Sequence, residues 1–225
     1  MGRIPASILV IALPLAAVAD RTWDFEFAVP GTVLGTGVET LLHGGRPLDL
    51  RSGDAVYVTN LRAYGGRHSL VVDRFDEKAC DRSRIVSFNL KGLNPNCPHR
   101  ISYWFLPEGR GVSSVRFETT VFASGNRQVY RFEFADGGVV WHKVGDIVRL
   151  GTWHRMTIEI PARGEKDAAA ILRAERLEGG RLVKVWESTR KCALEGVSEF
   201  QSLRFWFHAG RAGQRVFIDD IAVSE

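Results

Sequence analysis

Short runs in which apolar and polar residues alternate, each closed by glycine-rich turn chemistry, recur along nearly the whole chain and constrain its fold more than any other feature. Alternation places residues i, i+2 and i+4 on one face of an extended strand, so each run builds a sheet with one dry and one wet face. The strand candidates are Trp23–Val29, Ala55–Leu61, His68–Arg74, Ser83–Leu90, Ile101–Leu106, Val115–Ala123, Gln128–Phe134, Val139–Lys143, Ile147–Arg149, His154–Ile160, Ala169–Leu177, Arg181–Glu187, Ser202–His208 and Arg215–Val223. Gly65-Gly66, Pro107-Glu108-Gly109, Ser124-Gly125-Asn126, Asp136-Gly137-Gly138, Gly179-Gly180 and Gly210 to Gly213 separate them as turns. Only Glu165 to Leu177 competes as a helix, and its second half alternates as a strand does. Strands at this spacing predict an all-β sandwich of two antiparallel sheets. With 225 residues, 45% of them hydrophobic, and neither repeat nor linker, the chain reads as one domain over residues 20–225.

Residues 1–19 read as a secretory signal peptide: Arg3, an apolar run from Ile8 to Val18, and the small-residue triplet Ala17-Val18-Ala19 before Asp20. The apolar run is short for a membrane span and Pro14 interrupts it, so no membrane attachment is expected after cleavage. This predicts a secreted or periplasmic protein, in a space where disulfides persist. The three cysteines allow three single pairings. Cys80 and Cys97 are the nearest pair and bracket a loop-like segment, which favours their disulfide and leaves Cys192 as a buried thiol.

The 30 basic and 26 acidic residues make a mixed surface, so a nucleic-acid partner is not expected. The six histidines show no zinc spacing, no serine sits in a G-x-S-x-G elbow, and no P-loop or G-x-G-x-x-G occurs.

Alternation also sorts side chains by face. The set opposite the expected core is Trp104, Arg116, Glu118, Arg131, Glu133, Trp153, Arg155, Arg204, Trp206 and His208. Flat aromatics offer stacking surfaces to the C–H faces of sugar rings, while Arg and Glu pair with hydroxyls, and the Arg fork also matches a uronate or sulfate. These residues are the candidate ligand-binding set for a polysaccharide or oligosaccharide, anionic glycans included. A polysaccharide lyase is the enzyme reading: His208 as base, with Arg131, Arg155 and Arg204 neutralising a uronate, and Tyr130 or His142 as reserve bases. Glu118 and Glu133 each follow an Arg by two residues, which suits ion pairs better than the acid–base pair of a glycoside hydrolase.

The segments Trp23-Asp24-Phe25-Glu26, Gly66 to Val72, Gly151 to Ile158 and Val216 to Val223 resemble those of concanavalin A/laminin-G-like jelly rolls, including carbohydrate-binding modules. The resemblance spans nearly the whole chain after residue 19 and implies a concanavalin A-like sandwich with carbohydrate as the usual ligand. It also implies a structural Ca²⁺ where the first and last strands meet, with Glu26, Asp219 and Asp220 as its carboxylates. The sequence thus points to an exported polysaccharide-recognising protein, with a lyase of anionic glycans second and a laminin-G-like structural or protein-interaction module third.

Overall fold

The computed structural model describes residues 21–30, 38–42, 56–75, 84–111, 116–135, 138–139, 147–192, 194–207 and 212–225. The expected signal peptide, Cys80, His142 and His208 lie outside them. The strands are β1 (Arg21–Trp23), β2 (Val38–Leu42), β3 (Val56–Thr59), β4 (Ser69–Arg74), β5 (Arg84–Asn89), β6 (His99–Gly109), β7 (Phe117–Ala123), β8 (Arg127–Ala135), β9 (Gly138–Val139), β10 (His154–Ile160), β11 (Ala169–Glu178), β12 (Arg181–Lys191), β13 (Phe200–Phe207) and β14 (Gln214–Ser224). They form two antiparallel sheets. One has the order β12-β11-β10-β6-β14-β4-β3, with β1 added on β14; the other runs β2-β5-β13-β7-β8-β9.

The inner faces meet in a core dominated by aromatic rings. Phe105 of the eight-stranded sheet lies 5.2 Å from both Phe117 and Phe134 of the six-stranded sheet, and Tyr103 lies 4.8 Å edge-on to Phe205. Edge and tilted contacts of this kind add to the hydrophobic gain because the ring edge is positive and the face negative. The Tyr103 hydroxyl, fully buried, shares a 2.8 Å hydrogen bond with Thr119 Oγ1 across the sandwich. His154 also belongs to this core: it stacks on Phe105 at 5.1 Å, accepts the Arg149 N–H at Nε2, and burial pulls its pKa down to about 4.

Several elements depart from the sequence reading for identifiable reasons. The first strand stops at Trp23, because Phe25 takes a left-handed φ of 63° and its carbonyl accepts the Ala28 N–H, turning the chain. Pro107-Glu108-Gly109, read as a turn, is the end of β6. The Pro107 carbonyl points beyond the start of β10 and accepts the Gly151 N–H, so the N–H that proline lacks would have faced a place where no strand continues. Ile147–Arg149 is not a strand but a bend leading into β10. Residues 163–168 form turns, and Ala169–Glu178 is fully extended, so the helical alternative there is excluded. Among the described residues Cys97, half-buried, and Cys192, buried, form no disulfide, and burial pushes the Cys192 thiol up to about 11. The partner expected for Cys97, Cys80, is outside the described residues.

Candidate functional site

The two sheets divide the expected binding set. Trp104, Trp153 and Arg155 go to the outer face of the eight-stranded sheet, while Arg116, Glu118, Arg131, Glu133, Arg204 and Trp206 collect on the outer face of the six-stranded one. Periodicity assigns a face but carries no information on which sheet owns a strand, so the three tryptophans do not form one surface.

On the six-stranded face, register fixes two rows. Ile85, Trp206, Glu118 and Glu133 stand side by side in the first; Ser87, Arg204, Thr120 and Arg131 make the second. Glu118 and Glu133 are each 3% exposed although they point away from the core. Two carboxylates this close survive burial only if each is neutralised and hydrogen-bonded. Arg131 Nη2 lies 2.8 Å from Glu118 Oε2 and 3.8 Å from Glu133 Oε2, Arg116 Nε lies 2.5 Å from Glu133 Oε1, and Thr120 donates to Glu118 Oε1 at 2.6 Å. Each glutamate is therefore served by the arginine that precedes the other, across the β7–β8 pairing.

Arg204 lies over Phe122 with its Cζ 4.1 Å from the ring centre, donating from Nε to Ser202 Oγ and from Nη2 to Asn126 Oδ1. Trp206 is half-buried between Ile85 and Glu118. The Ser87 hydroxyl, 5% exposed and facing the same side, has no hydrogen-bond partner among the described residues. Ser87, Thr120, Ser202 and Asn126 were not legible as site residues, since small polar side chains on wet faces carry no distinguishing pattern. Tyr130, a reserve base, sits in the core, where burial raises its pKa well above the ordinary range; it does not reach this face.

At the opposite sheet, Trp104 is only 7% exposed because Tyr64, from the loop before β4, stacks on it at 3.4 Å with planes 15° apart. Trp153 meets the same Tyr64 edge-on at 5.8 Å. Arg155 sits 5.8 Å over Trp104 and pairs with Glu175 at 2.7 Å. Beside them Val71, Leu106 and Phe217 form a small apolar cluster against which Trp153 and Tyr57 pack.

The carboxylates Glu26, Asp219 and Asp220 do come together, around the Gly65-Gly66 loop. Asp219 Oδ2 accepts the N–H groups of Tyr64 (2.8 Å) and Gly65 (3.3 Å), and its Oδ1 accepts that of Asp220. Glu26 Oε1 accepts the N–H groups of Arg67 (2.8 Å) and His68 (2.9 Å). Burial, with Asp220 adjacent and against the Tyr64 N–H, pushes the Asp219 pKa up to about 7. Burial also raises Asp220, with Asp24 and Glu26 adding to the effect, whereas the His68 N–H holds Glu26 low. A calcium ion needs many oxygen ligands converging on one point. Here Asp219 gives both oxygens to N–H donors, and among the described residues no three His, Cys, Asp or Glu side chains form a group able to hold a metal. The residues fit a clamp on the loop, not an ion cage.

No protein-family model matches the sequence, and no curated protein matches it significantly. Solved structures do match in shape. Lectin II from Ulex europaeus is 11% identical, with 92% of this chain and 99% of that chain covered at a TM-score of 0.57. The fold is a concanavalin A-like jelly roll. A lectin from Bauhinia forficata in complex with GalNAc is 9% identical over 91% of this chain and 97% of its own, with a TM-score of 0.54. A carbohydrate esterase from the Shiga toxin-encoding bacteriophage phi24B is 13% identical over 92% and 98%, also at 0.54. At such identities the jelly roll is what these proteins share with this chain, and its chemistry rests on its own residues.

Proposed function

We propose that this jelly roll is an exported carbohydrate-recognising protein that binds a polysaccharide, anionic glycans included, on the outer face of its six-stranded sheet. The observation that carries the reading is the interlocked quartet of Arg116, Glu118, Arg131 and Glu133 beside Trp206. Guanidinium groups anchored by buried carboxylates lose little freedom on binding, and the arginine arms, 40% and 39% exposed, supply donors to sugar hydroxyls at the surface. Trp206 adds an aromatic face beside them. The Bauhinia forficata lectin, solved with GalNAc on the same fold, supports sugar as the ligand class.

The test is retention of the purified protein on a panel of neutral and uronate-containing polysaccharides. Wild type is retained and a Trp206→Ala/Arg204→Ala double variant is retained markedly less; equal retention of both overturns the assignment to this face. A lyase acting on uronate polymers is the second reading, favoured by Arg204 and Arg131 lying in one register row. Ultraviolet absorbance of unsaturated products in the same incubations would establish it and bring His208 under test.

A further inference from the structure

We infer that the protein carries a second sugar-stacking platform on its opposite face, built on Tyr64 with Trp153 as its wall, so that one chain engages polysaccharide from both sides of the sandwich. This rests on the glycan reading above. Tyr64 is 37% exposed while one face of its ring lies flat on buried Trp104, so the accessible area belongs to the other face and the edges. Trp153 stands at 70° to it, making an aromatic corner of floor and wall.

The corner is built in advance. The backbone N–H of Tyr64 is held by Asp219, the following residues are held by Asp219 and Glu26, and the Arg62 carbonyl accepts the Ser69 hydroxyl, so the loop is tied on both sides of the ring. Gly65 and Gly66 are required there: a side chain on either would run into Asp220 or Glu26. An aromatic ring fixed before binding loses little freedom on association, which is what a stacking platform needs. Arg155 and Glu175, side by side in the register row of Trp104, bring a donor fork and a carboxylate to the rim of the aromatic corner for ring hydroxyls. The chemistry recognises a pyranose ring presenting an apolar C–H face, not an anion, since Glu175 already neutralises Arg155.

The other three tyrosines supply internal controls. Tyr103 and Tyr130 are buried, and Tyr57 is half-buried with its hydroxyl on Asp73. The experiment is nitration of tyrosines by tetranitromethane in the wild-type protein and in the Trp206→Ala/Arg204→Ala variant, with and without each polysaccharide of the panel, read by peptide mass mapping. The expected result is that a retained polymer slows nitration of Tyr64 severalfold in both proteins and leaves the slow reaction of Tyr57 unchanged. Retention of wild type with Tyr64 as reactive as in the free protein overturns the platform and leaves the six-stranded face standing. Protection of Tyr64 together with undiminished retention of the double variant does the reverse. Neither retention nor protection with any polymer overturns both.

Discussion

Glu118 and Glu133 stand directly opposite each other on neighbouring antiparallel strands, both buried, and the arginine two residues before each one serves the other. Like charges facing across a sheet are ordinarily destabilising. The exchange of partners turns that repulsion into a closed quartet in which every carboxylate has a guanidinium on it. Removing one partner of a buried pair strands the other charge. Arg131→Met is therefore expected to lose about 3 kcal/mol or more in urea unfolding. Replacing Arg131, Glu118 and Glu133 together by apolar residues should recover much of the loss; a triple variant as unstable as the single one would refute the quartet's role.

Gly66 has φ near +65°, and a Cβ there would meet the Glu26 carboxyl at 2.3 Å. Gly66→Ala should cost about 2 kcal/mol from the left-handed backbone, with a further loss as Glu26 is pushed off the Arg67 and His68 N–H groups. Thermal unfolding measures it. A Glu26→Ala/Gly66→Ala double variant relieves the collision, so its loss should be less than the sum of the two single losses; strict additivity would contradict the contact.

Two buried groups pull the pH dependence of stability in opposite directions. The Asp219 pKa lies near 7, above its unfolded value, so the native state holds the extra proton and the contribution of this group falls as pH rises from about 4 to about 7. The His154 pKa lies near 4, below its unfolded value, so its contribution is complete above about 6.5 and is lost as pH falls toward 4. Across this window, Asp219→Asn should make stability rise more steeply with pH and His154→Gln should flatten that rise. Unchanged slopes in chemical denaturation from pH 4 to 7 would reject both assignments.

Because Asp219 spends its carboxyl on backbone donors, EDTA is expected to leave the Tm unchanged. A fall reversed by added Ca²⁺ would overturn this and restore the expectation of a cation held by Glu26, Asp219 and Asp220.

Where the alternation was strict the sequence told the fold directly: His154–Ile160 is a strand over the residues its pattern marks, and its apolar members face the core. The chain was harder to read where neighbours decide. Whether Pro107 ends a strand depends on where β10 begins, and whether Trp104 shares a surface with Trp206 depends on sheet membership, which spacing does not encode. Tyr64 has no sequence signal because a loop residue has no period; only its stacking on Trp104 gives it a role.

β12, which ends the order of the eight-stranded sheet, is eleven residues long, and Leu182 and Val183 on it are 36% and 40% exposed. Among the described residues nothing pairs with its outer edge, and such an edge offers backbone donors and acceptors to another extended chain. Five of its eleven residues are charged, Arg181, Lys184, Glu187, Arg190 and Lys191, and in a second copy docked antiparallel about Trp186 each Arg181 would face a Lys191. The same strand that completes the sheet thus guards it against growing into an aggregate.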